Sequence, residues 1–197
     1  MRRLSAARSI YLPPWRVDVV ERPGVERAVS FAALARAVSR ALSAAGAPAP
    51  AAVGVILADD RESAELNERS MGHHGPTDVL SFPLLEPTDF PAHLGRDLAV
   101  RAADRPRGTF VTPPGKRLHL GEIVISVERA IAQAEEGRGG QTGDIRWSPA
   151  DELLLLASHG TLHLCGWDHA APEEEAEMRA LESQLLATRR SGLPPGR

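Results

Sequence analysis

The stretch His159-Gly-Thr-Leu-His-Leu-Cys-Gly-Trp-Asp-His169 restricts this chain more than any other. His159 and His163 are four residues apart, so a helix sets their rings on one face in successive turns. Two imidazoles placed in that way share one metal ion at about 2.0–2.1 Å from each ring nitrogen. His169 lies too far along for the same helix to bring it to that point. Gly166 stands between them, and glycine accepts the positive φ at which a helix ends and the chain turns back. The spacing predicts two helical ligands, a break and a third ligand on the returning chain. A structural zinc takes four protein ligands, often with thiolates among them. The nearest fourth candidate, Cys165, is turned about 200° from His163 on a helix and reads as a small packing residue. Three histidines without a clear fourth ligand point to an open position for water or substrate, and so to a catalytic zinc, one per chain. Asp168 is a candidate acceptor beside His169 or a partner for bound water.

Composition narrows the setting. At 197 residues, with 43% hydrophobic and 25% charged side chains, the chain fits one compact domain with a full core. The formal charge of −3 does not advertise a nucleic-acid binder, so any such role falls to local basic patches. A single cysteine, Cys165, excludes an intrachain disulfide and fits a reducing compartment. No apolar run approaches a membrane span, and the start, with Arg2, Arg3 and Arg8, does not read as a secretory signal. A cytoplasmic protein with no membrane partner is expected.

Along the chain, residues 1–14 read as a flexible basic tail. Trp15–Val20 alternates like a strand, Ser30 caps a helix to about Ala45, and Ala52–Ala58 reads as a buried strand. Asp59 or Asp60 opens a helix to about Met71, and Pro76-Thr77-Asp78 turns the chain into the strand Val79–Pro83. Residues 88–117 form a net-basic surface insertion. His119–Ser126 reads as a strand and Val127–Glu136 as a helix. Ser148-Pro149 starts a helix, apolar all round and therefore buried, that carries His159 and His163. Pro172 begins a last helix, and 188–197 reads as a second basic tail. The expected fold is α+β (mixed α/β): a small, mostly parallel sheet of about four strands with one antiparallel strand, flanked by about five helices. One domain spans 15–187.

The zinc-protease pattern His-Glu-x-x-His-x-x-Gly-x-x-His has the same spacing, but Gly160 occupies the place of its glutamate base. Peptide hydrolysis without that base is handicapped by about 10²–10⁴-fold. Phosphodiester cleavage leans more on the metal and on positioning. No side chain can be named as the catalytic base, so the catalytic residues are left unknown.

The His159–His169 stretch resembles the signature of the YbeY family of bacterial rRNA-maturation endoribonucleases. Leu66-Asn67 followed by Pro76-Thr77-Asp78-Val-Leu-Ser-Phe-Pro83 resembles the family's other signature, and Gly121-Glu-Ile-Val-Ile-Ser126 resembles its Gly-Asp-Ile strand. The resemblance covers about Ala52 to Leu186. It implies a zinc ion held by His159, His163 and His169 at the bottom of a cleft. It also implies cleavage of single-stranded rRNA precursors, maturation of the 16S rRNA 3′ end, late ribosome quality control, and the small subunit with its assembly factors as partners. Thr77 and Ser81 are candidates to wall the cleft with hydroxyls. The chain departs from the family where an arginine usually follows Leu-Asn: that place is Met71, and Arg69 would project elsewhere. Two alternatives stay open. One is a non-catalytic, zinc-containing ribosome-assembly factor; the other is a metal hydrolase acting on peptides or small molecules.

Overall fold

The structure, a computed structural model, describes residues 5–91, 117–137, 147–169 and 171–190. Its centre is a five-stranded sheet: β1 (Ala6–Leu12), β2 (Trp15–Glu21), β3 (Ala51–Ala58), β4 (Val79–Pro83) and β5 (Leu118–Ser126), in the order β1-β2-β3-β5-β4. The strands β2, β3 and β5 run parallel, and the edge strands β1 and β4 run antiparallel to their neighbours. Among the described residues, five helices accompany the sheet: α1 (Phe31–Ala44), α2 (Asp60–Met71), α3 (Val127–Glu135), α4 (Pro149–Leu164) and α5 (Pro172–Arg190). The fold is α+β, as expected.

Two expectations are corrected. The sheet has a fifth strand, β1, within residues taken for a flexible tail. It pairs along its length with β2, from Ala6 opposite Glu21 to Leu12 opposite Trp15. Because β1 is an outer strand with mostly exposed side chains, it lacks the apolar alternation that marks a half-buried strand. At the other end, α5 continues to Arg190, past the start of the expected second tail. Most of the expected insertion, 92–116, lies outside the described residues; Pro87–Asp89 before it forms a single 3-10 turn.

Local sequence explains the helix starts. Ser30 accepts the Ala33 amide, Asp59 that of Glu62 and Ser126 that of Arg129, each satisfying a donor that the first turn leaves unpaired. Helix α4 has a reciprocal capping box between Ser148 and Asp151, with Pro149 in the first turn. The core lies on one face of the sheet. Val17, Val19, Val53, Val55, Leu57, Ile123 and Ile125 meet Leu34, Val38 and Leu42 of α1 and Leu153, Leu154, Leu156 and Leu162 of α4. A second, smaller cluster (Ala58, Leu80 and Val124, with Leu66 and Phe82) fills the opposite face under α2. Helix α4 is thus enclosed by the sheet, α1, α3 and α5. A side chain on its one open stripe is held by everything behind it.

Candidate metal centre

His159 and His163 lie on that stripe in the last turns of α4. The helix ends at Cys165, and Gly166 takes φ of 80°, which turns the chain back. The returning loop carries His169 to the same place. The three imidazoles offer nitrogens that all lie within 4.8 Å of one another, with two rings half-buried and His169 exposed. Among the described residues this is the one cluster of three such groups suited to a metal ion.

The hydrogen bonds fix which nitrogens are free. His159 Nδ1 lies 2.6 Å from Glu182 Oε1 on α5, and His163 Nδ1 lies 2.9 Å from the carbonyl oxygen of Trp167. A carboxylate and a carbonyl only accept, so each Nδ1 carries a proton and each Nε2 is the nitrogen left to face the other ring. Those two Nε2 atoms face each other at 3.0 Å. With both rings neutral, two lone pairs would repel at that distance, and a bound cation would remove the repulsion. Burial pushes the His163 imidazole down to about 4, helped by the neighbouring His159, so this ring is neutral and ready to ligate at neutral pH. The residues fit a divalent cation that accepts imidazole nitrogen.

Cys165 does not contribute. Its side chain is fully buried in the core, and burial pushes its thiol up to about 12. Asp168 holds the loop: its Oδ1 accepts the His169 amide at 2.8 Å, and its own amide donates to Glu174 at 3.0 Å. Ser81 donates its hydroxyl to Gly160 O at 3.0 Å, tying β4 to α4 one residue from His159. Thr77 is held by Ser63, which donates to its carbonyl at 2.6 Å and accepts from its amide at 3.2 Å. Asn67 likewise donates to Gly75 O at 2.9 Å, and Asp78 accepts from Gln133 at 3.0 Å. The Leu66-Asn67 and Pro76-Thr77-Asp78 segments therefore belong together because the first anchors the turn that launches β4. His73 and His74 are exposed and stand apart from the cluster.

Gly160 has a packing reason. A Cβ there would sit 2.7 Å from Ile123 Cγ2 and 3.2 Å from Val79 Cγ2. The residue faces the sheet, so a glutamate at this position would be driven into β4 and β5. Sequence comparison with the proteases had flagged the missing base; the missing side chain is what lets α4 approach the sheet. Glu182 and Glu174 were not found from the sequence, and no local signal joins them to the histidines.

Fold and site together define an α+β protein with a three-histidine centre fit to hold a metal ion. The profile of the family described as Endoribonuclease YbeY matches residues 24–190. An Endoribonuclease YbeY of Salinispora tropica is 37% identical over 89% of this chain and 96% of its own length. One from Symbiobacterium thermophilum is 40% identical over 77% and 81% respectively, and one from a Roseiflexus species is 36% identical over 86% and 90%. The chain belongs to the YbeY family of endoribonucleases.

Proposed function

We propose that the chain is a zinc-dependent endoribonuclease that cleaves single-stranded rRNA precursors, in maturation of the 16S rRNA 3′ end and in late ribosome quality control. The observation that carries the metal part is the pair of Nε2 atoms of His159 and His163 facing each other at 3.0 Å, with His169 beside them. Family membership supports the RNA part. His159, His163 and His169 would hold the ion. Bound zinc would supply a Lewis acid for a phosphoryl oxygen and bring the pKa of its water toward about 7. The chain's own contribution is orientation. Glu182 and Trp167 O fix the two helical rings, Asp168 fixes the loop under His169, and Ser81 pins β4 to α4 beside the centre. The proposed partners are the small ribosomal subunit and its assembly factors, in the cytoplasm. No helix among the described residues is long and apolar enough to cross a membrane.

One observation favours a second reading. Met71, half exposed at the end of α2, stands where the family resemblance places an arginine. A chain without that cation has one group fewer to neutralise a cleaving phosphodiester, which suits an assembly factor whose zinc shapes a docking cleft. Metal analysis combined with single-turnover cleavage of precursor rRNA separates the two readings. The nuclease reading expects one zinc per wild-type chain, cleavage that disappears in His163→Ala, and faster cleavage in Met71→Arg. Cleavage retained by a metal-free His163→Ala preparation would sink it.

A further inference from the structure

The side of the metal centre away from the sheet is formed by α5. Glu174, Met178 and Glu182 recur on this helix at intervals of four, so they share one face. Met178 is 2% exposed in the core and anchors that face. A turn to one side, Glu182 accepts from His159 Nδ1 at 2.6 Å, with the two side chains 15% and 27% exposed. A turn to the other side, Glu174, 7% exposed, accepts the Asp168 amide at 3.0 Å. Asp168 in turn accepts the amide of His169. One face of one helix thus reaches a helical histidine directly and the loop histidine through its neighbour.

We infer that α5 is the outer brace of the metal centre, with Glu182 the positioning residue for His159 and Glu174 the positioning residue for the loop that delivers His169. A carboxylate on Nδ1–H fixes the tautomer, stops the ring from turning and raises the basicity of the opposite nitrogen. His163 has a neutral carbonyl in the same role, so the two helical ligands are unequal. His159 is backed by a full charge, His163 by a dipole. The contact spans 23 residues of sequence and exists because α5 packs on α4. Metal affinity therefore depends on the docking of the last helix as well as on the three ligands.

The inference rests on the metal reading, and the experiment keeps the two separable. Zinc affinity is measured on the full chain by chelator competition for wild type, Glu182→Gln, Glu182→Ala and Glu174→Gln. The visible spectrum of the cobalt(II)-loaded protein and the melting of the metal-free protein are recorded beside it. Glu182→Ala is expected to weaken zinc binding by about 10–100-fold. Glu182→Gln should lose less, because its amide oxygen still accepts from Nδ1–H. Both should alter the cobalt spectrum, and melting should fall further in the zinc-loaded than in the metal-free protein, a difference that a purely structural role would not give. Glu174→Gln should weaken zinc by a smaller factor. Zinc affinity in both Glu182 variants within about 2-fold of wild type, well short of the usual second-sphere loss, with an unchanged cobalt spectrum, would overturn the brace. If Glu182→Ala does not fold, Glu182→Gln decides. A wild-type chain that takes up no zinc would overturn the metal reading and the brace together.

Discussion

The three-histidine cluster has two unlike halves. His159 and His163 project from a helix whose other residues are nearly all buried, with Leu153, Leu162 and Leu164 fully enclosed and Gly160 pressed against β4 and β5. Their ring orientations are set by partners at 2.6 and 2.9 Å. His169 is exposed on a short loop, whose place near the helix depends on the Asp168 carboxylate and on Glu174. The helical half takes its geometry from the core at no extra ordering cost when an ion binds. The loop half is ordered by a few polar contacts, and His169 itself is open to water. A site built in this way has a fixed floor and a more exposed third arm.

The largest expected effect comes from removing one ligand from each half. His163→Ala should abolish stoichiometric metal uptake, because it empties the fixed half and leaves His159 alone on the helix. His169→Ala should weaken binding yet leave a detectable ion on the helical pair. Metal analysis after dialysis against a weak chelator measures both. Equal loss in the two variants would show that the halves are not distinct.

Acid should sharpen the same contrast through the buried half. The His163 imidazole is brought from 6.5 down to about 4, first by burial and then by its neighbour His159. Its folded pKa lies below its unfolded value, so the unfolded chain binds more protons between those two pH values. The contribution of this group is therefore fully present above pH 6.5 and is lost as pH falls toward about 4. The loss is on the order of 2 kcal/mol once partial exposure is allowed for. Urea unfolding of the metal-free protein from pH 7.5 to 4 tests it. The slope assigned to this ring should be missing in His163→Gln.

The two halves also differ in how far the residues alone disclosed them. The histidine cluster is legible because helical spacing and a turn-forming glycine are local properties, and the strands β2 to β5 and the helices α1 to α5 follow from periodicity and caps. The support of the site is not legible in that way. Glu182 meets His159 only because α5 folds back on α4, and a glutamate in an amphipathic helix looks the same whether it faces water or an imidazole. Strand β1 escaped because its outer position leaves few side chains to bury. Ser81 was expected to offer its hydroxyl to the cleft, yet it donates to the backbone of α4. In each case the deciding contact joins residues far apart in sequence.

Gly160 gives the finest test, because it asks whether the fixed half is fixed by packing. The protease comparison treats this position as a lost base, whereas the geometry makes it a close approach of α4 to the sheet. In Gly160→Ala the new methyl meets Ile123 Cγ2 at 2.7 Å and Ser81 Oγ at 3.1 Å. Ile123 is β-branched and fully buried, so it has little room to yield. Overpacking of this kind costs about 1–3 kcal/mol, and the gain in helix propensity from glycine to alanine offsets about 1 kcal/mol of it. The net should be a loss of about 1 kcal/mol in the urea unfolding of the metal-free protein. Zinc affinity should fall with it, since the helix can relieve the contact only by shifting the two histidines that flank this turn. Asp168→Ala, on the exposed half, should do the reverse and weaken zinc with little change in metal-free stability. If Gly160→Ala is as stable as wild type and binds zinc equally well, the helical half is not held by this contact. The contrast between the two halves then reduces to exposure alone.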